Sequence, residues 1–260
     1  MTRLTKRTEF LGIEFDAIPM NDLLTMLKAR SSEAEFRYVV TPNVDHMNRL
    51  HATPKDLVKL YESAWLCLCD SRILLMLGRL ARCRLTLVPG SDLTARMFAD
   101  VIEPRDPICI IGGDAGAISN LSRKYALDDV RHYNPPMGFI RNPSEVEKCV
   151  DFVSGNSARY VFFAVGSPQQ EIVALEVLKS GRATGVGFCI GASIDFLTGA
   201  AERAPIWMQR LSLEWLHRFA SNPRGMFRRY LITGPWIFLI YAAWLARRIL
   251  TSRHAPRSLK

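Results

Sequence analysis

The chain has 260 residues, 48% hydrophobic and 23% charged, with a formal net charge of +9. That supports one sizeable core, alone or with a small appendage, and excludes global disorder. The charge is uneven. From Arg203 to Lys260 there are eleven Lys/Arg and one acid, Glu214, so this segment carries +10 and the first 202 residues about −1. A near-neutral body with a basic tail points to an anionic partner, either nucleic acid or anionic lipid.

The first ten residues hold charges and no apolar signal core, so the expectation is a chain without a secretory signal. The six cysteines form no C-x-x-C pair, and the histidine spacing gives no zinc pattern. Several lie in apolar runs, where cysteine behaves as a small hydrophobe. Structural thiols in a reduced cytoplasm are expected.

Short apolar runs alternate with helical patterns. The runs Phe36–Val40, Trp65–Cys69, Ile108–Ile111, Val161–Val165 and Val186–Ile190 read as strands. Asp56–Ser63, Asp92–Ile102, Ser144–Val153 and Pro168–Leu178 carry helical periodicity. This alternation predicts an α/β, Rossmann-like, mostly parallel sheet with helices on both faces. Such sheets bind ligands beyond the carboxyl ends of their strands, so the residues after each run are the first candidates.

The first run ends in Thr41-Pro42-Asn43. The second ends in Asp70-Ser71-Arg72. Asp70 reads either as the cap of a following helix or as a general base, because a site closed to water raises a carboxyl pKa toward the working range. After Ile108–Ile111 comes Gly112-Gly113-Asp114-Ala115-Gly116. This is a phosphate-binding turn at a helix start or a tight turn with no ligand, and it lacks the G-x-G-x-x-G spacing.

The fourth run leads into Gly166-Ser167-Pro168-Gln169-Gln170-Glu171. Here Ser167 reads as an N-cap, Pro168 as the first helical residue and Gln170 as the capping-box partner. The functional alternative gives the Gln170 amide a sugar hydroxyl. The fifth leads into Gly191-Ala192-Ser193-Ile194-Asp195.

Past Gly199 the texture changes. An Arg/Trp-rich segment leads to Leu231–Ala246, sixteen residues without a charge, bracketed by Arg228-Arg229 and Arg247-Arg248. The run is short for a membrane span, which takes roughly 20 apolar residues. It reads as an interfacial helix with Trp236, Tyr241 and Trp244 at headgroup level. A buried helix packed on the domain and a true span are the alternatives. The expected division is a core over residues 1–200 and a basic, amphipathic helical appendage over 201–260. Arginines of the appendage suit diphosphate, which their planar fork matches.

Together these residues resemble one family. Thr41-Pro42-Asn43 is similar to its T-x-N motif, and Gly166 to Glu171 to its G-x-P-K-Q-E motif. A longer match runs from Gly185-Val186-Gly187 through Asp195-Phe196, Gly199 and Arg203-Ala204-Pro205. It continues through Leu213-Glu214-Trp215-Leu216-His217-Arg218 to Pro223 and Arg228-Arg229-Tyr230. This is the pattern of the WecG/TagA/CpsF glycosyltransferases, glycosyltransferase family 26.

The resemblance implies an inverting, metal-independent enzyme with no cofactor. Its donor would be a UDP-sugar and its acceptor a sugar on undecaprenyl diphosphate, in exopolysaccharide, teichoic-acid linkage or common-antigen synthesis. By position, Asp70 matches the base, Thr41 and Asn43 the pocket, and Gln170 the Q-E glutamine. Gly112, Gly113 and Gly166 join the expected substrate contacts. Asp195 and the Pro136–Phe139 turn, with Gly138 and Phe139, match the nucleoside side; Arg203, Arg218 and Arg228 match the phosphate contacts. Two positions depart from the pattern. Ser71 stands where the family usually has glycine, and Leu87 stands where it often has arginine, leaving Arg72 and Arg84 as candidate substitutes.

The implied setting is the inner face of the cell membrane, with the protein peripherally bound to an anionic surface and homo-oligomerisation left open. Two rival readings are weighed against this. A nucleotide-cofactor oxidoreductase is favoured only by the Gly112–Gly116 turn. A non-catalytic nucleic-acid- or nucleotide-binding module is favoured by the basic tail, but the apolar Leu231–Ala246 run argues against nucleic acid as the partner.

Overall fold

In the computed structural model the described residues are 6–53, 56–200, 204, 205, 208, 214–221 and 223–254. The chain opens with an antiparallel hairpin, β1 (Arg7–Phe10) and β2 (Ile13–Asp16). There follow α1 (Met20–Ala29), β3 (Arg37–Val40), α2 (Val44–Ala52), α3 (Asp56–Glu62), β4 (Leu66–Cys67), α4 (Arg72–Leu80) and α5 (Gly90–Arg96). Then come β5 (Ile108–Ile111), α6 (Ala115–Tyr125), β6 (Val130–Tyr133), α7 (Pro143–Gly155), β7 (Tyr160–Phe163), α8 (Gln169–Ser180), β8 (Val186–Cys189) and α9 (Ser193–Thr198). The appendage contributes α10 (Glu214–Ser221), α11 (Pro223–Phe227), a π-helical turn over Arg228–Thr233 and α12 (Trp236–His254).

Strands β3 to β8 form one parallel sheet in the order β4-β3-β8-β7-β5-β6. It is a Rossmann-like α/β fold. Alternation along the strands sends side chains to two cores. On one face Phe98, Phe162 and Phe188 stack at centroid distances of 4.9 and 5.3 Å, beneath Leu23, Leu27, Leu93 and Leu121. On the other, Tyr38, Val40, Val161 and Phe163 meet the hairpin, α2, α7, α8 and part of α12. Each such large side chain, taken fully from water, contributes roughly 1.5–3 kcal/mol.

The hairpin lies beside β4, the strand at one edge of the sheet. The buried Asp16 carboxylate meets Arg7 Nε at 3.2 Å and accepts from Cys67 N at 2.9 Å. Arg7 also donates to the carbonyls of Ala64 and Trp65, at 3.1 and 2.9 Å. The otherwise open edge is thereby covered. All six cysteines are buried and unpaired with one another, as expected of structural thiols. Burial pushes the Cys67 and Cys189 thiols well above their ordinary value.

The C-terminal helix α12 divides its faces. Ile237 is buried, and Ile240, Tyr241 and Trp244 pack on the body at helical spacing. Trp244 sets its edge on Phe10 at 5.3 Å and donates its indole N–H to Glu9 at 3.0 Å. Tyr241 stacks on Trp244. Of the three aromatics expected at headgroup level, only Trp236 is exposed, because Tyr241 and Trp244 find the hairpin's apolar face first. Phe238 and Leu239 also stay exposed. No described helix is long and apolar enough to cross a membrane.

Candidate active site

A cavity of about 660 Å³ opens beyond the carboxyl ends of β4, β3, β8 and β7, four neighbours in the sheet. Thr41, Asn43, Asp70, Gly166 and Gln170, five of the sequence candidates, line it. They converge because β3 and β4 pair in register (Val39 with Leu66, Val40 with Cys67), so their following turns emerge side by side. The Asp70 amide donates to the Pro42 carbonyl at 3.1 Å.

Asp70 is half-buried and does not cap the next helix. That is the work of Ser71, whose hydroxyl accepts from Leu74 N at 3.2 Å. The capping alternative for Asp70 is therefore removed. Ser71 and Leu87, the two departures, both line the cavity, as does Arg72. Arg84 is not among the lining residues.

The capping box expected at Ser167 forms elsewhere. Helix α8 begins at Gln169 with Pro168 at its N-cap and no side-chain cap. Gln170 faces sideways instead: its Oε1 accepts from Gly191 N, and its Nε2 donates to Glu171 Oε1, both at 2.8 Å. A box does close α2, where Asn43 Oδ1 accepts from Asp45 N at 3.1 Å and Asn43 N donates to His46 Nδ1 at 3.3 Å. Asn43 is thus at once a helix cap and a cavity wall.

The Gly112–Gly116 turn lies off the cavity, after β5, which is separated from β8 by β7. The Asp114 carboxylate accepts from Gly116 N at 2.8 Å and Ala117 N at 3.2 Å, so the turn's own acid occupies the helix start. A Cβ on Gly112, which has φ +88°, would fall 2.6 Å from Val165 Cγ1. Close strand packing therefore accounts for the glycine. Gly138 begins a short 3-10 turn and Phe139 is buried in the core; neither lines the cavity. Asp195, on α9, is half-buried beside the lining residues Ser193 and Phe196. Burial, then the charge of Asp114, raises its pKa.

Arg203 lies outside the described residues, as do the side chains of Arg218 and Arg228. The cation that the described residues do bring to the cavity wall beside Gly166 is Arg49. It donates to Asp45 Oδ2 at 2.6 Å and to Ser167 Oγ at 2.9 Å. Sequence reasoning missed Arg49, His46 and Asn48. Their signal was the polar Asn43, Asp45 and His46 shortly after a strand, with Asp45 and Arg49 at i, i+4. It also missed that Leu231, Gly234, Pro235, Ile237 and Phe238 of the appendage close one side of the cavity.

A parallel α/β sheet with a cavity past adjacent strand ends, lined by both polar and apolar side chains, places a candidate ligand site where folds of this class bind small molecules. The chain belongs to the WecG/TagA/CpsF family of glycosyl transferases, whose family model matches residues 8–251. It is a glycosyl transferase, and the matched span includes the parallel sheet and most of the C-terminal helix.

Proposed function

We propose that the protein moves one sugar from a UDP-sugar onto a sugar carried on undecaprenyl diphosphate, with inversion, in cell-surface polysaccharide synthesis. The observation that carries the reading is the half-buried Asp70 in the cavity wall, at a strand end where Ser71 supplies the cap of the next helix. Asp70 takes the proton from the acceptor hydroxyl as that oxygen attacks the anomeric carbon. UDP leaves from the opposite face, so the configuration inverts.

Arg49 and Arg72 suit the growing charge on the diphosphate, which preorganised cations and amides stabilise. With Leu87 uncharged, Arg72 is the substitute that the cavity supports. The arginines at 203, 218 and 228 are further candidates, and the reaction is read as metal-independent.

The acceptor's lipid sets the place of action: the cytoplasmic face of the membrane, where the protein binds peripherally. The exposed Trp236 and Leu239 of α12, with the half-exposed Phe238 at the cavity rim beside them, support this, together with the basic appendage. Each basic residue near an anionic surface contributes about 1 kcal/mol, screened by salt, and the apolar side chains add a term that salt does not remove.

The test is a screen of UDP-sugars against short-chain polyprenyl-diphosphate-sugar acceptors, read by mass spectrometry and NMR. The expected product is the acceptor plus one sugar, in inverted configuration, with one UDP released per transfer. Retained configuration, or transfer only from a non-UDP donor, overturns the reading.

A further inference from the structure

The carboxylate of Glu171 is 1% exposed and is not part of the cavity wall, yet it ties together two side chains that are. Its Oε1 accepts from Gln170 Nε2 at 2.8 Å and faces His46 Nε2 at 3.7 Å. Gln170 Oε1 in turn accepts from Gly191 N, just past β8. His46 Nδ1 lies 2.8 Å from Asn43 Oδ1, the cap of α2. Through this one carboxylate the segments following β3, β8 and β7, adjacent in the sheet, are held to one another.

The contacts also fix a chemical choice. An ionised carboxylate only accepts and a backbone N–H only donates. The Gln170 amide therefore has one orientation, oxygen to Gly191 and NH2 to Glu171. Its oxygen is engaged, and its nitrogen carries a second proton. Gln170 lines the cavity, so what it offers a ligand is a donor, suited to a sugar hydroxyl oxygen or a diphosphate oxygen.

A purely structural tie would not need a charge here, because well-packed apolar side chains serve as well or better in a core. Glu171 Oε2 has no hydrogen-bond partner among the described residues, which makes the buried charge costlier still. Burial by itself would raise the Glu171 carboxyl; the nearby His46 imidazole, the hydrogen bond from Gln170 and the neighbouring Ser167 hydroxyl outweigh it and hold the pKa below its ordinary value. The group is kept as an anion.

We propose that Glu171 is a positioning residue for sugar transfer: its buried carboxylate holds the Gln170 amide with an N–H, and not an oxygen, available to the substrate. This rests on the transferase reading above.

The experiment is a double-mutant cycle on the full chain with Glu171→Gln and Gln170→Ala, alone and combined. It is read by kcat and KM for the donor, by thermal melting, and by the Gln170 side-chain amide signals in NMR. A glutamine at 171 removes the charge and, because its own oxygen and NH2 can exchange places, no longer compels the Gln170 nitrogen to face it. Glu171→Gln should melt cooperatively, lose at least about 10-fold in kcat/KM and shift the Gln170 amide signals. In the Gln170→Ala background it should cost nothing further, since it acts through that amide.

Kinetics within twofold of wild type, or losses that multiply in the double variant, overturn the proposal. If the wild-type chain transfers no sugar from any donor, the transferase reading fails. The NMR arm then decides separately: Gln170 amide signals unmoved by Glu171→Gln show that the carboxylate does not orient the amide.

Discussion

The side-chain amide of Asn48 donates to the Thr233 carbonyl at 2.6 Å, joining the helix that carries His46 and Arg49 to the turn that leads into α12. The appendage is thus fastened to the cavity wall, and Leu231, Pro235 and Phe238 complete that wall. Truncation after Tyr230 should therefore cost more than membrane attachment. It uncovers Phe10, for about 3 kcal/mol of lost burial, and opens the cavity. We expect a lower melting temperature and at least a 10-fold loss of transfer even to short, soluble acceptors. Circular dichroism melts and assays on short and long polyprenyl acceptors check both. Full activity on the short acceptor would contradict a closing role for this segment.

Replacing Asp70 with Asn should leave the fold intact, since Ser71 supplies the cap of α4 and the Asp70 backbone amide keeps its bond to Pro42. Turnover should fall by about 10²-fold or more, the scale on which a lost general base is felt. UDP affinity, measured calorimetrically, should stay within a few-fold. Near-normal turnover in Asp70→Asn would remove the base assignment.

A methyl group on Gly187 would stand 2.6 Å from Phe36 Cζ and 2.8 Å from Phe163 Cε2. Those rings pack edge to face inside the core and have little room to retreat. Gly187→Ala should cost about 1–3 kcal/mol, as overpacking does. The urea midpoint should drop with an unchanged slope. A midpoint equal to wild type would mean that the pair yields freely.

Because its folded-state pKa is depressed, Glu171 stabilises the fold above the ordinary glutamate value of 4.5 and loses that contribution as pH falls through the lower folded value. Wild-type melting temperature should fall as pH drops below about 4.5. In Glu171→Gln the same acid limb should be shallower. Parallel limbs in the two proteins would assign the acid sensitivity to other carboxylates.

The sheet was legible where strands are apolar and buried on both faces. Ile108–Ile111 falls on β5, and Val161–Val165 and Val186–Ile190 overlap β7 and β8. Edge strands were harder to see. Strand β6 reads Val-Arg-His-Tyr because one side of it meets water, and β4 holds only two residues of the Trp65–Cys69 run. The hairpin went unread because its Arg7 and Asp16 look like surface charges until they are paired and buried.

In the site, Thr41, Asn43, Asp70, Gly166 and Gln170 were found because they follow strands. Gly112 and Gly113 follow a strand too, but strand order is not written in local pattern, and β5 lies beyond the four strands that frame the cavity. Capping signals were equally ambiguous. Ser167-x-x-Gln170 had the right letters and formed no box, whereas Asn43-x-x-His46, with a histidine in the partner role, did.

Strand β8 has a consequence for how the chain comes together. It lies between β3 and β7, so every earlier strand of the parallel sheet belongs to one of two groups, β4-β3 or β7-β5-β6, that share no ladder until β8 arrives. During synthesis, nearly three-quarters of the chain must leave the ribosome before the halves can be zipped, leaving the inward edges of β3 and β7 unsatisfied meanwhile. Such late, long-range closure makes for slow folding and for exposed strand edges that invite aggregation. Expression conditions that slow translation or supply chaperones should therefore raise soluble yield more than changes to the surface of the finished molecule.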